Sequence, residues 1–301
     1  MNKQFQHISY SLHEKSYEHK HNEEELSRYK NWFSNNTTDV WRHLRMLDFI
    51  NTFINKYPDA KWLTIGDGRF GTASMYIKNN KGTSLCTDID TSLLKIAKEN
   101  NMIEDYSYAN AEALPFDDNS FDFSFCKESF HHFPRAYISI YEMLRVSKKA
   151  IMIVEPRDWL PSPILRRILQ NIKNTIKNSL SIMVPHPDTG NYEPIGNYIF
   201  SISEREIQKI ALGLNLPAVA FKVFHDIYIP GVEIEKETQN SPLLKKIKRK
   251  IFINNLLYKI GLQGKNRIIA IIFKESPTER LDAELRKRNF NVIYLPKNPY
   301  I

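Results

Sequence analysis

The sequence has 301 residues, of which 42% are hydrophobic and 25% are charged, and these globular values exclude a wholly disordered chain. Forty-two Lys and Arg residues against 34 Asp and Glu residues give a net charge of +8, which permits an anionic partner without identifying it. The length allows two domains, or one large domain with insertions.

Three sequence features lead us to expect a cytoplasmic protein. The first residues lack the apolar core of a secretion signal, and no run of 18 apolar residues predicts a membrane-spanning helix. Cys86 and Cys126 are too few for a disulfide framework, which favours a reducing compartment.

The amino-terminal part of the chain has a helical pattern. Residues 1–30 are polar, and apolar residues at helical spacing follow between Asp39 and Lys56. Pro58 comes directly after this stretch and ends it. We therefore predict one helix over residues 39–56.

Strands and helices alternate over the rest of the chain. Strands are predicted at residues 61–65, 84–87, 106–109, 121–125, 150–154, 218–228 and 267–274, and helices at residues 72–79, 92–99, 134–146, 161–182 and 204–214. A loop over residues 183–196 and a helix-and-strand unit over residues 278–295 complete the pattern. Such alternation is typical of a parallel, doubly wound α/β sheet, whose ligands bind at the carboxyl ends of the strands.

A glycine-rich turn follows the first predicted strand. It reads Gly66-Asp67-Gly68-Arg69-Phe70-Gly71, with the spacing G-x-G-x-x-G, and a predicted helix begins directly after it. Glycines let the backbone turn tightly and let a ligand approach closely, and a helix N-terminus favours negative charge. Taken alone the pattern is weak, because a strand-to-helix turn can contain incidental glycines.

An acidic residue closes the second predicted strand. Asp88 lies 22 positions after Gly66, and a carboxylate at this place can accept hydrogen bonds from both hydroxyls of a ribose. Asp90 is the rival acid, but we prefer Asp88 because it ends the strand itself. Enzymes that use nicotinamide dinucleotides and enzymes that use S-adenosyl-L-methionine (SAM) share this arrangement.

The segment after the third predicted strand separates these two classes. It reads Asn110-Ala111-Glu112-Ala113-Leu114-Pro115-Phe116 and continues with Asp117-Asp118-Asn119-Ser120-Phe121-Asp122. The segment resembles the third and fourth motifs of the class I SAM-dependent methyltransferases. Residues 141–146, before the fifth predicted strand, also resemble this family, so the resemblance covers roughly residues 60–156.

The resemblance implies a Rossmann-like sheet of seven strands in the order 3-2-1-4-5-7-6. It also implies a division of the chain, with residues 1–57 as an amino-terminal helical lid and residues 58–275 as the SAM-binding domain. Within that domain we expect cap insertions at about residues 157–200 and 231–265. Residues 276–301 are expected to form a helix-and-strand extension.

The resemblance further implies SAM as the cofactor and a set of residues that contact it. These are Gly66, Asp67, Gly68, Gly71, Asp88, Ile89, Asn110, Ala111, Glu112 and Lys127. The glycines would lie beside the methionine part, Asp88 would hold the ribose, and Asn110 would meet the adenine. Thr64 departs from the family, which usually has an acid there for the amino group of SAM. Asp67 or a residue of the amino-terminal helices would then bind the amino group in its place. An arginine of those helices, Arg42 or Arg45, could bind the SAM carboxylate or an anionic substrate, or it could be a solvated residue of a docking helix.

The residues after the fourth predicted strand would line the space between methyl donor and acceptor. An alcohol acceptor must lose a proton, and an imidazole suits that task, so His131 and His132 are candidate bases. Glu128 is a second acid–base candidate. Alternatively, the histidines pack against SAM and Glu128 pairs with a cation such as Lys127. We expect no metal site, because Lys127 and Glu128 stand where catechol-type methyltransferases have metal-binding carboxylates.

A basic amphipathic helix is predicted over residues 242–260. Its cations are Lys245, Lys246, Lys248, Arg249, Lys250 and Lys259, and an apolar stripe runs along it. Such a helix can contact an anionic membrane surface or phosphate-bearing substrates, or it can bury its stripe on the domain.

The leading hypothesis is an enzyme that methylates a hydroxyl of a small molecule or a glycan, such as a surface-polysaccharide precursor. The net charge favours an RNA methyltransferase as the first alternative, but the chain lacks the usual motifs, and we expect no nucleic-acid partner. A nicotinamide-dependent reductase leaves residues 110–122 unexplained. A non-catalytic protein with the SAM-binding fold is the last alternative.

Overall fold

The computed structural model describes residue 8 and residues 10–12, 23–159, 192, 198–238 and 240–300. The helices are α1 (Glu23–Lys30), α2 (Thr38–Leu47), α3 (Ile50–Lys56), α4 (Thr72–Asn79), α5 (Ser92–Glu99), α6 (Ala136–Val146), α7 (Glu204–Gly213), α8 (Pro242–Lys259) and α9 (Glu279–Lys287). The strands are β1 (Lys61–Ile65), β2 (Thr83–Asp88), β3 (Asp105–Tyr108), β4 (Phe121–Lys127), β5 (Ser147–Pro156), β6 (Ala218–Phe224), β7 (Arg267–Phe273) and β8 (Asn291–Tyr294). No helix in these ranges is long and apolar enough to cross a membrane.

The strands form one sheet in the order β3-β2-β1-β4-β5-β7-β6-β8. Strands β3, β2, β1, β4 and β5 pair in parallel, whereas β7 pairs antiparallel with both β5 and β6. The predicted Rossmann-like order is therefore confirmed. The carboxyl ends of the parallel strands meet at one edge of this sheet, which is where a ligand of such a fold binds.

The sheet has eight strands instead of the expected seven, because β8 of the predicted helix-and-strand unit joins it. Strand β8 pairs antiparallel with β6 over four residues, from the pair Ala218 and Tyr294 to the pair Phe221 and Asn291. Without this pairing, β6 would be an edge strand with unpaired backbone groups. The helix-and-strand unit at the end of the chain thus extends the sheet.

Two further boundaries differ from the predictions. The expected helix over residues 39–56 is divided into α2 and α3, and at the join the Thr52 N–H donates to the Phe49 carbonyl three residues before it. The expected strand over residues 218–228 ends at Phe224, because the Asp226 N–H donates to the Asn266 side chain instead of a strand. The predicted helix over residues 161–182 lies outside the described residues, as does nearly all of the predicted loop over residues 183–196.

The sheet is covered by apolar side chains on both faces. On one face, Phe53 packs its ring against Trp62 of β1 and Phe123 of β4, with centroid distances of 6.4 Å and 5.4 Å. On the other face, buried residues of α6 and α7 such as Met143 and Ile207 join the inner side chains of the strands. Strands β5 and β7 are buried along most of their length, as expected for strands at the centre of a covered sheet.

The amino-terminal helices are bound to the segment that follows β6. The Arg42 guanidinium binds the Asp226 carboxylate through two hydrogen bonds of 3.1 Å and 2.6 Å, and both side chains are buried. The backbone N–H groups of Thr38 and Asp39 donate to the carbonyls of Glu235 and Val232. These contacts fix α2 beside residues 225–235, at the same edge of the sheet as the glycine turn.

We predict that Phe53→Ala lowers the free energy of unfolding by about 3–5 kcal/mol, because the substitution leaves a cavity among aromatic rings that cannot close. Urea denaturation measures this change. Leu212→Ala on the exposed side of α7 is the matched control and should change the free energy by less than about 1 kcal/mol. Equal losses in the two variants would contradict this account of the core.

Candidate functional site

The glycine turn after β1 packs tightly against the ends of two neighbouring strands. A Cβ atom at Gly66 would lie 2.5 Å from the Cβ atom of Ser129, and one at Gly68 would lie 2.5 Å from Oδ2 of Asp88. Gly66 and Gly71 also have positive φ angles, of 67° and 61°. Glycine is thus required at these positions for the turn to reach the strand ends.

Asp67 caps the helix that follows the turn. Its carboxylate accepts hydrogen bonds from the N–H groups of Ala73 and Ser74, at 3.0 Å and 2.9 Å, and from the Thr64 hydroxyl at 3.0 Å. Burial raises the pKa of Asp67. Thr64, which stands where an acid was expected, therefore supports Asp67 directly.

Asp88 is a buried carboxylate at the end of β2. Its Oδ2 accepts from the Gly68 N–H at 2.8 Å, and its Oδ1 accepts from the Asp90 N–H at 3.0 Å. Burial raises the pKa of Asp88 to about 7. Two backbone donors therefore hold the side chain in place while the low-dielectric surroundings disfavour its charge.

Two neighbouring cavities lie at this edge of the sheet, and the smaller one is at the carboxyl ends of β1, β2 and β3. Its lining includes five residues predicted from the sequence, namely Gly66, Asp88, Ile89, Asn110 and Ala111. The lining also includes Glu128 and His132 from the β4 side. The structure thus brings together residues that follow four separate strands.

Tyr10 reaches this smaller cavity from far away in the sequence. It lines the cavity, and its hydroxyl lies 3.4 Å from Oδ1 of Asn110. Sequence reasoning missed it, because nothing in the polar amino-terminal residues distinguishes this tyrosine from its neighbours.

Three predicted residues lie behind the walls of the described cavities. Gly68 donates to Asp88, and Gly71 begins α4. The Glu112 carboxylate accepts from the backbone N–H of Arg135 at 2.6 Å and from its Nε at 2.7 Å. A direct contact of these residues with SAM stays a prediction, and the structure shows them holding neighbouring parts of the site.

Glu128 stands in a strained conformation between two cations. Its φ angle is 52°, and its carboxylate lies 3.2 Å from both Lys127 Nζ and an Arg267 guanidinium nitrogen. Burial alone would raise the pKa of Glu128, but the charges of Lys127 and Arg267 outweigh it and hold that pKa far below its usual range. A carboxylate so stabilised in its charged form accepts a proton poorly.

The two adjacent histidines occupy different positions. His131 Nδ1 lies 2.5 Å from Oε2 of Glu155, a fully buried carboxylate that also accepts the N–H groups of Ser129 and Phe130 at 2.9 Å. The His132 ring lies 4.0 Å from the His131 ring, centroid to centroid, and lines both cavities. Of the two candidate bases, the structure thus places His132 at the cavities and His131 behind it.

A larger cavity of about 540 Å³ adjoins the first. It is lined by charged and aromatic side chains from α1, α2, the glycine turn, the end of β4 and the segment after β6. The lining residues are Arg28, Tyr29, Trp32, Asp39, Arg42, His43, Gly66, Asp67, Arg69, Thr72, Lys127, Glu128, Ser129, His132, Tyr228 and Glu233.

Arg42, which the sequence suggested as an anion-binding residue, already has two acidic partners. Its guanidinium binds Asp226 and also lies 2.9 Å from Asp39. It still lines the larger cavity. Its observed role is therefore to hold Asp39 at the cavity wall and to bind the buried Asp226.

His43 is a cavity residue that sequence reasoning missed. Its Nδ1 lies 3.2 Å from Lys127 Nζ, and its Nε2 lies 3.7 Å from an Asp39 oxygen. Burial and the Lys127 charge hold the pKa of His43 well below its usual value, so the ring is neutral and its Nδ1 accepts from the ammonium group. The spacing of Asp39 and His43 on one helical face was the only signal in the sequence.

A model of the methyltransferase domain family matches residues 63–153. The chain carries a class I SAM-dependent methyltransferase domain. Its cofactor is S-adenosyl-L-methionine. The match runs from within β1 to within β5 and includes the glycine turn, Asp88 at the end of β2 and the two histidines.

Solved structures resemble the fold of this methyltransferase over most of its length. The YcgJ protein of Bacillus subtilis is 16% identical with a TM-score of 0.48, over 76% of this chain and 99% of that chain. The magnesium protoporphyrin IX methyltransferase of Synechocystis PCC 6803, solved with bound S-adenosylhomocysteine (SAH), is 10% identical with a TM-score of 0.47. That match covers 89% of this chain and 100% of that chain. A comparison with curated proteins found no match.

We predict that the pKa of His43 lies well below its usual value and that Lys127→Met raises it. Removal of the ammonium group removes one cause of the lowered pKa, but burial still keeps that pKa below 6.5. Nitrogen chemical shifts of the imidazole, followed by NMR over a pH titration, measure both effects. Lys61→Met is the control, since this exposed lysine lies at the opposite end of β1. A His43 pKa unchanged by Lys127→Met would contradict the contact.

Proposed function

We propose that this methyltransferase transfers the methyl group of SAM to a hydroxyl oxygen of a polar small molecule or a glycan, such as a surface-polysaccharide precursor. The larger cavity carries this proposal, because it adjoins the predicted cofactor cavity and is lined almost entirely by charged and aromatic side chains. His132 belongs to both cavities and therefore stands where donor and acceptor would meet.

The smaller cavity and the glycine turn fit the cofactor. Side chains at Gly66 or Gly68 would fill the space beside the strand ends, and glycine keeps that space open. Each Asp88 oxygen accepts one backbone hydrogen bond, which leaves lone pairs for the hydroxyls of a ribose. Asn110 and Ala111 line the same cavity, where the adenine edge would lie. In this proposal Asp67 and Lys127 border the methionine end from the larger cavity.

The larger cavity has the chemistry of a site for a polyhydroxylated acceptor. The rings of Tyr29, Trp32 and Tyr228 offer apolar faces, against which the C–H groups of a sugar can pack. Asp39 and Glu233 offer carboxylate oxygens that accept hydrogen bonds from hydroxyl groups. A hydrophobic acceptor would remove solvent from these charged groups without replacing its hydrogen bonds, which is costly.

Proton removal from the acceptor is assigned to His132 in this proposal. SAM supplies a methyl group that is already activated on a sulfonium, so positioning of the acceptor provides much of the rate. The His132 ring packs on His131, which in turn binds the buried Glu155, so the base is held in one orientation. Glu128 is proposed to remain a charged partner of Lys127 instead of taking the proton.

The domain division proposed from the sequence agrees with this arrangement of the cavity. Helices α1 and α2 line the larger cavity, which supports a lid function for residues 1–57. The segment of Tyr228 and Glu233 lines its other side and leads into the proposed insertion over residues 231–265. Residues 157–200 are proposed as a second cap, and residues 276–301 as the extension that completes the sheet.

Methyl transfer from radiolabelled SAM to a panel of sugars, nucleotide sugars and small alcohols tests the proposal. We expect turnover of a hydroxyl acceptor. Turnover of RNA alone would establish the nucleic-acid alternative. SAH binding without transfer to any member of a broad panel would favour the non-catalytic alternative, and binding of NAD in place of SAH would overturn the cofactor assignment.

We predict that His132→Asn lowers kcat by about 10²–10⁴-fold with an unchanged dissociation constant for SAH, because the variant loses only the proton acceptor. Lys148→Gln is the surface control on β5 and should keep full activity. In a pH profile of the wild-type enzyme, kcat should also decrease when the pH is below the pKa of the base. A His132→Asn variant with normal kcat would show that the histidine only packs in the site.

The raised pKa of Asp88 predicts that SAH binds more weakly in acid. As the pH falls through about 7, Asp88 takes up a proton and offers one acceptor fewer to the ribose, so the dissociation constant should rise up to about tenfold per pH unit. Calorimetry between pH 6 and pH 8 measures this slope. Asp88→Asn should bind weakly at every pH in the range, without this slope. An equal slope in both proteins would contradict the role of Asp88.

A further inference from the structure

Helix α8 presents two unlike faces. Leu244 and Ile247 are fully buried against the domain. On the opposite face, Phe252, Leu256 and Ile260 are 72%, 55% and 61% exposed. Spacings of four residues place these three side chains in one row along the helix. An apolar row on the outward face of a helix is costly in water unless something covers it.

The cations of α8 lie on the same exposed surface and are not balanced within the helix. Exposed basic residues occupy its first half, and the helix sequence PLLKKIKRKIFINNLLYK contains no acidic residue. They are Lys245, Lys246, Lys248, Arg249 and Lys250. Cations in the amino-terminal half and apolar side chains in the carboxyl-terminal half thus form one outward surface, which we call the α8 surface.

The α8 surface is held firmly on the domain. The Glu235 carboxylate accepts hydrogen bonds from the N–H groups of Leu243 and Leu244 in the first turn of α8, at 2.7 Å and 3.0 Å. It also accepts from the Thr38 hydroxyl at 2.7 Å. Lys248 Nζ lies 5.4 Å from the centre of the Trp41 ring. The surface is therefore a fixed part of the molecule.

We propose that the α8 surface docks the protein on an anionic lipid bilayer. Phe252, Leu256 and Ile260 enter the boundary between headgroups and acyl chains, where burial of apolar area is favourable. The cations of the first half of the helix bind the acidic headgroups. Charge complementarity favours this occupant over a second copy of the chain, because two basic helices facing each other repel.

Docking at this place couples the bilayer to the larger cavity. Glu233 lines that cavity, and Glu235, two residues later, binds the first turn of α8. The docked helix therefore keeps the cavity wall within one short loop of the lipid surface. This inference goes beyond methyl transfer and does not depend on the identity of the acceptor.

Vesicle flotation of the full chain tests the proposal. We expect binding to vesicles of phosphatidylcholine and phosphatidylglycerol at 3:1, little binding to phosphatidylcholine alone, and release in 0.5 M NaCl, because salt screens the headgroup charges. Lys246→Gln with Lys250→Gln should weaken binding to the anionic vesicles by about tenfold or more. The control Arg280→Gln with Lys287→Gln removes two exposed cations from α9 and should leave binding unchanged.

A second pair of variants tests the apolar row. Phe252→Ser with Leu256→Ser should abolish flotation, whereas Leu212→Ser, an exposed leucine of α7, should not. An unchanged SAH-induced shift of the melting temperature shows that each variant is folded. Equal binding to neutral and anionic vesicles, or flotation unaffected by either α8 double variant, would overturn the proposal. The proposal would also be overturned if light scattering detected a dimer that depends on Phe252 and the protein bound no lipid.

Discussion

The buried ion pair of Arg42 with Asp226 is the contact on which the larger cavity depends. It joins a helix from the beginning of the chain to a segment that leaves the sheet 184 positions later. Removal of one partner from such a pair usually costs about 3–5 kcal/mol, because the other charge is left buried alone. Arg42 also holds Asp39, which lines the cavity, so one guanidinium joins this acidic group to the segment after β6.

The order of strands supplies the second constraint. Because β1, β2, β3 and β4 run in parallel side by side, the residues that follow each of them meet at one edge. Gly66, Asp88, Asn110 and His132 are thereby brought to one cavity although 66 residues separate the first from the last. The close packing of the glycine turn against Asp88 and Ser129 then fixes the shape of that edge.

Two carboxylates at this edge show how surroundings set the charge of identical groups. Asp88 is held by two backbone N–H groups in a buried place, and burial raises its pKa to about 7. Glu128 is partly buried, but Lys127 and Arg267 lower its pKa far below the usual range. The first group can change its charge near neutral pH, whereas the second stays charged and anchors the cations beside it.

The sequence indicated the sheet order through its resemblance to a known family. Local patterns alone predicted the glycine turn and the acid that ends the second strand, because these features depend on neighbouring residues. The sequence also identified His131 and His132 as candidate bases. Only the tertiary structure showed that His132 lines the cavities and that His131 binds Glu155. The pairing of β8 with β6 and the walls of the larger cavity were decided by tertiary contacts as well. His43, Tyr228 and Glu233 carry no motif, and they meet because buried polar pairs such as Arg42 with Asp226 join distant segments. The spacing of apolar residues indicates which face of a helix or strand is buried, but it does not indicate which distant segment covers that face.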